Sequence, residues 1–293
     1  MITHGAILDA ALARITAGYV FPEKTVAIAV AIRNRLAEGA YEGLDERGLC
    51  ERVTEDLQGV CPDKHLRLLW SEEPQSMDEE PEDVARARFE RYAREKNYGI
   101  RRAEQLDGNI GYLDLRMIPP AGVGGPAIAA AMQLVASTEA LVIDLRQCSG
   151  GSPEGVQLWC SYFFADDEVH LNDIYDRATD STRQYWTLGH LAAPRYSDRP
   201  VAVLTSDFTF SGGEELSYNL KVLKRATLVG QTTRGGAHPT ARIPVAPHVT
   251  VTVPAARSIN PVTGTNWEGV GVEPDVAVAA EDALEKALEH LRS

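Results

Sequence analysis

Two hydrophobic periods divide the chain. Through residues 5–70 apolar positions recur at helical spacing, first Ile7, Leu8, Leu12 and Ile15, then Ile28, Ile32 and Leu36, which predicts a largely helical stretch. From Ile110 onward short apolar runs alternate with helix-period segments. Strands are expected over Ile110–Arg116, Ala140–Arg146 and 200–206, and helices over 124–137, 153–164 and 211–224, an alternation that predicts an α/β core. Between 240 and 259 the pattern turns to β-branched alternation, as in Val249-Thr-Val-Thr-Val253, and Glu281 to Leu291 reads as a closing amphipathic helix. Residues 71–83 interrupt these regimes with seven acids and two prolines, too little apolar surface to pack, and a polar helix follows around 83–96. The division expected is an N-terminal helical domain over 1–70, an acidic linker and connecting helix over 71–108, and an α/β catalytic core over 109–293.

Composition narrows the classes of function. The chain has 293 residues, 44% of them hydrophobic, and a formal net charge of −13 with no basic stripe, so a nucleic-acid partner is not expected. Its longest apolar runs are far shorter than a membrane span, and the start, Met1-Ile-Thr-His-Gly-Ala-Ile-Leu-Asp9, lacks the basic and apolar regions of an export signal. Four cysteines, at 50, 61, 148 and 160, form no C-x-x-C pair and have no histidines at zinc spacing. Reduced thiols in the cytoplasm, no metal and no cofactor are therefore expected.

The chemistry concentrates at Val201-Ala-Val-Leu-Thr-Ser-Asp-Phe-Thr-Phe-Ser211-Gly-Gly-Glu-Glu-Leu216, where a buried-type strand runs through a turn into a helix. Ser211 with Glu214 fits a helix capping box, S-x-x-E. A cap alone does not account for Gly212 and Gly213, each costing about 1 kcal/mol relative to alanine in a helix. Glycines there let a substrate carbonyl approach first-turn N–H groups that have no intrahelical acceptor, the requirement of an oxyanion hole. A second glycine turn, Gly150-Gly151, ends the strand beginning at Ala140. It fits a tight strand-to-helix connection, and it also fits the second wall of the same hole, with Gly150 or Gly151 as one donor and Gly212 as the other.

A serine hydroxyl needs a base before it attacks at neutral pH. Lys221 and Lys224 lie about 15 Å or more along the helix that Ser211 opens, at about 1.5 Å per residue, beyond reach. His65, in Cys61-Pro-Asp-Lys-His65, and His238, in the glycine-rich Arg234-Gly-Gly-Ala-His-Pro239, both remain candidates on spacing alone. For the acid partner, Glu268 sits among glycines and an aromatic in Asn266-Trp-Glu-Gly-Val-Gly-Val-Glu-Pro-Asp275, whereas Glu273 and Asp275 precede a turn and read as structural.

These segments together resemble the C-terminal processing (tail-specific) serine peptidases, with the tricorn core protease and the interphotoreceptor retinoid-binding protein modules. The carriers are Leu141-Val-Ile-Asp-Leu-Arg146 with Gly150-Gly151, Leu204 through Leu216, Ala226-Thr-Leu-Val-Gly-Gln-Thr-Thr-Arg-Gly-Gly-Ala-His-Pro239, and Glu268 through Asp275, in this order. Tyr19-Val-Phe-Pro-Glu-Lys24 and Asp56 through Leu66 look particularly like the retinoid-binding modules and their bacterial relatives. The resemblance implies a crotonase/ClpP-like ββα-spiral core, Ser211 as nucleophile, and Gly150, Gly151 and Gly212 as oxyanion donors. Tail-specific members take a lysine base from the loop that here reads Arg234-Gly-Gly-Ala-His238, with glycine where the lysine would stand. The tricorn-like pattern carries over instead to His65 as base and Glu268 as its partner, although Lys64 occupies the place of the serine that tricorn relatives set beside the histidine. Only 44 residues separate His65 from Ile110, too few for an inserted PDZ domain.

The function expected is a cytoplasmic serine hydrolase, a peptidase for short or unstructured peptides. The other classes in view are a catalytically silent binding module for an apolar small molecule, of the retinoid-binding type, and a non-peptide acyl hydrolase or cyclase. Expected partners are a peptide or small acyl substrate, with neither nucleic acid nor membrane. The helical domain is a candidate lid or homo-oligomer contact.

Overall fold

The computed structural model describes residues 2–77 and 81–292. In chain order its main elements are α1 (His4–Gly18), α2 (Thr25–Ala37), α3 (Glu46–Val60), β1 (Arg67–Trp70), α4 (Glu82–Glu95), β2 (Ile100–Leu106), β3 (Ile110–Leu115), α5 (Ala121–Val135), β4 (Ala140–Asp144), α6 (Pro153–Ser161), β5 (His170–Asp176) and β6 (Ser181–Trp186). There follow β7 (Val201–Thr205), α7 (Gly212–Val222), β8 (Thr227–Gly230), β9 (Thr240–Ala246), β10 (Val249–Pro254), β11 (Ala256–Ile259), β12 (Val276–Ala277) and α8 (Ala283–Arg292). The fold is mixed α/β. Residues 71–77 form neither helix nor strand, and the remainder of the acidic segment expected as a linker includes 78–80, which lie outside the described residues.

The chain gathers into two units. The first comprises Met1–Glu82, Ile174–Arg183 and His238–Ser258. Thr3 caps α1 through its hydroxyl to the Ala6 N–H, and Asp45 caps α3 through its carboxylate to the Gly48 N–H, so both helices start where a side chain satisfies an orphan donor. Ile7, Leu8, Ala11, Leu12 and Ile15 of α1 and Leu49, Cys50, Val53 and Leu57 of α3 are buried at the spacing of one helical face. They pack with Val249, Val251 and Val253 of β10, the middle strand of the antiparallel sheet β1–β10–β9. Arg67–Trp70 thus ends the N-terminal stretch as a strand, where the sequence pattern continued the helical reading. Its partner is distant in sequence, Leu68 standing opposite Val251, and the Leu68 N–H is also taken by Thr54.

The second unit comprises Asp83–Asp173, Gln184–Ala237 and Ile259–Ser293. Its six-stranded sheet has the order β12–β8–β7–β4–β3–β2, parallel except for the β2–β3 hairpin. Strands β3, β4 and β7 are buried at every residue, the mark of parallel strands covered on both faces, which is why they read as largely apolar runs. On one face Ile128, Met132, Val156, Trp159, Leu216 and Leu220 of α5, α6 and α7 form the larger core, and on the other Ala283 and Ala287 of α8 cover Val142, Ala202 and Val229. The edge strand β2, Ile-Arg-Arg-Ala-Glu-Gln-Leu, escaped the sequence pattern because its polar positions face solvent. All four cysteines are buried and unpaired. Burial pushes the Cys50 and Cys148 thiols up to about 12 and raises that of Cys160 as well.

Candidate active site

Strands β4 and β7 lie side by side in parallel, Asp144 opposite Leu204, so the loops leaving their C-terminal ends emerge together. One loop carries Gly150 and Gly151 into α6 and the other carries Ser211 into α7. The Phe210 N–H donates to the Cys148 carbonyl and ties the two loops together. Ser211 adopts φ 52°, ψ −120°, a conformation that costs a non-glycine residue about 1–3 kcal/mol and persists only where its surroundings impose it.

Those surroundings are glycine for steric reasons. Gly150 has φ 100°, and a Cβ there would stand 2.7 Å from the Ser211 Cβ and 2.9 Å from the Gly212 nitrogen. A Cβ on Gly212 would stand 2.9 Å from the Gly151 nitrogen, and one on Gly151 would strike the Ile118 carbonyl at 1.8 Å. The three glycines and the serine therefore form one close-packed backbone junction at the first turn of α7, where N–H groups lack intrahelical acceptors.

Glu214 fixes this junction to a third loop. Fully buried, its carboxylate accepts from the Ser211 N–H at 2.8 Å, the Thr233 hydroxyl at 2.5 Å, the Gly235 N–H at 2.6 Å and the Gly236 N–H at 2.8 Å. Burial pushes its pKa up to about 7, against the pull of those hydrogen bonds. Glu268 takes the next N–H in the chain, that of Ala237, at 2.5 Å, while the neighbouring Trp267 indole donates to the Gly236 carbonyl at 2.8 Å. Two carboxylates thus hold three consecutive amides, Gly235 to Ala237. Glu273 and Asp275 serve as anchors: the Glu273 carbonyl accepts from Lys221, and Asp275 accepts from the Leu228 N–H.

His65 and His238 belong to the other unit, and both are buried there. The His238 Nδ1 lies 2.7 Å from an Asp63 oxygen, and Asp63 also accepts from the Tyr19 hydroxyl at 3.0 Å and from the His65 backbone N–H at 3.0 Å. Burial works against the charge on Asp63, but the bond and charge of His238 and the His65 amide outweigh it and hold the carboxyl below its usual range. An ionised Asp63 can only accept, so the proton of this contact sits on the His238 Nδ1. Burial, with Asp63 beside it, raises the Tyr19 phenol. Local sequence shows Glu214 as a helix cap and leaves Asp63 without a task. The aspartate two residues before His65 was a usable signal, and the S-x-x-E spacing concealed a clamp behind a cap.

The family model of peptidase family S41 matches residues 109–278, more than half of the chain. The chain belongs to peptidase family S41. Membership places it among the serine-type peptidases. This S41 chain is 32% identical over 148 residues to the carboxyl-terminal-processing peptidase 2, chloroplastic, of Arabidopsis thaliana, a match covering 47% of this chain and 26% of that relative's length. Among solved structures it is similar to a putative peptidase from Parabacteroides merdae, with a TM-score of 0.66 at 19% identity over 100% of this chain and 98% of the other. The photosystem II D1 C-terminal processing protease gives 0.53 at 16% identity over 100% and 98%, and the tricorn protease 0.60 at 14% over 99% of this chain and 37% of its own. At these identities the structures establish the S41 fold. Among the described residues no helix is long and apolar enough to cross a membrane.

Proposed function

We propose that this S41 chain hydrolyses short or unstructured peptides through Ser211. The observation that carries the reading is the strained Ser211 backbone, held between the Gly150-Gly151 turn and the Glu214 clamp at the start of α7. In the proposed reaction His65 takes the Ser211 proton as the hydroxyl oxygen attacks the scissile carbonyl, and Glu268 stabilises the imidazolium. The N–H groups at Gly150, Gly151 and Gly212 receive the oxyanion, the proton passes to the amine as the C–N bond breaks, and water, deprotonated by the same imidazole, then hydrolyses the acyl–Ser211 ester and restores the serine. The Asp63–His238 pair favours a second assignment of the base, because the carboxylate fixes the orientation of that imidazole. Comparing His65→Ala with His238→Ala separates the two, since loss of the base costs about 10⁶-fold in kcat. Four buried free thiols suit a reducing compartment, and residence in the cytoplasm is part of the proposal.

The test is labelling of the purified protein with a fluorophosphonate, comparing wild type with Ser211→Ala and locating the adduct by mass spectrometry. Modification of Ser211 alone supports an activated serine. A folded wild-type protein that stays unlabelled overturns the hydrolase reading in favour of ligand binding.

A further inference from the structure

The first unit concentrates positive charge around a single ring. Phe21 carries the Lys24 ammonium 4.6 Å from its centroid and the Arg257 guanidinium 5.6 Å from it, and Arg257 also lies 5.3 Å from the Tyr175 centroid. Arg177 donates to the Tyr19 carbonyl at 2.5 Å, and the Tyr19 and Phe21 rings meet edge to face. None of Lys24, Arg177 and Arg257 forms an ion pair among the described residues, in a chain whose formal net charge is −13. The acids nearest in sequence to Arg177 are otherwise occupied, Asp176 by Thr179 and Asp180 by the Tyr175 hydroxyl. The Arg257 Nε is buried and has no hydrogen-bond partner. A buried polar donor is ordinarily satisfied, and a planar guanidinium held between two rings is already oriented for a carboxylate.

Phe21 also meets His238, whose ring lies 5.4 Å from it. The cations thus sit one aromatic ring away from the imidazole that Asp63 orients.

We propose that Arg257, with Lys24 and the face of Phe21, forms an anion subsite that binds a carboxylate of the peptide substrate close to His238. The inference rests on the peptidase reading for the identity of its ligand. The carboxylate has two sources, the free C-terminus of a short peptide or an Asp or Glu side chain.

Calorimetric titration of the Ser211→Ala protein, which leaves the ligand uncut, tests this with three probes: acetyl-tetraalanine as free acid, the same peptide as amide, and the amide with one internal aspartate. The expected result is that a carboxylate-bearing probe binds about tenfold or more tightly than the neutral amide. Arg257→Gln in the same background should erase the difference, whereas Arg257→Lys, which keeps the charge, should restore part of it. Preference for the free acid alone identifies the C-terminus as ligand, and equal preference for the internal aspartate identifies a side chain. Equal binding of all three probes, or a preference that survives Arg257→Gln in a protein with wild-type circular dichroism, overturns the subsite. Because Ser211 is absent from this experiment, its outcome is independent of whether fluorophosphonate labels the wild type.

Discussion

At the scale of single residues, the candidate site is a set of contacts with almost no slack. Gly150→Ala would bring a Cβ within 2.7 Å of the Ser211 Cβ at a φ of 100°. The expected result is destabilisation by about 2 kcal/mol, read by denaturant unfolding. A fall in kcat of about 100-fold should accompany it, the size of effect that a displacement of about 1 Å produces at a reacting centre. Glu214→Gln tests the clamp in another way. An amide can accept at one oxygen only, and its NH₂ would face two of the four donors, so kcat should fall about 10- to 100-fold while Glu214→Asp recovers part of it. A Glu214→Gln enzyme with wild-type kcat would show that the loop from Thr233 to Gly236 holds itself in place. Ser211 and the glycine pairs were legible in the sequence because turn chemistry is local. The Asp63–His238 pair was not, since its members stand 175 positions apart and only the tertiary fold makes them neighbours.

Among the elements, α7 combines a well-formed start with a costly interior. Glu215 is buried, with Asn172 donating to it at 3.1 Å, and burial pushes its pKa up to about 8. A carboxyl whose folded pKa lies above its unfolded value of about 4.3 contributes stability that is complete below that value and lost as pH rises through the folded one. Glu215→Gln should therefore match the wild type near pH 4 and exceed it by about 1–3 kcal/mol near pH 9, measured as the difference between denaturant unfolding curves. A constant offset across that range would mean that folding leaves the pKa of this carboxyl unshifted. Helices such as α1, α3 and α8 could be read from one apolar stripe, and β3, β4 and β7 from largely apolar runs, because each burial pattern repeats within its own segment. The strands β1 and β2 could not. One depends on a distant partner and the other keeps its polar residues in water, so neither leaves a local period.

For the molecule as a whole, the net charge of −13 sets the long-range field while the cations around Phe21 act at close range. An acidic peptide should be repelled at low salt, where the screening length is about 30 Å near 0.01 M, and admitted more readily near 0.15 M, where it is about 8 Å. Stopped-flow association of the free-acid peptide should accelerate over that change and that of its amide should not. A slower association would mean that the cation cluster governs the approach. The buried cysteines offer a different kind of access. With every native thiol enclosed in the protein and three of them far from ionisation at neutral pH, Ser211→Cys would create a single addressable sulfur. The wild type should resist iodoacetamide under native conditions, and the variant should take one equivalent at position 211. The pH dependence of that alkylation would report the electrostatic environment at the nucleophile's position without any knowledge of the substrate.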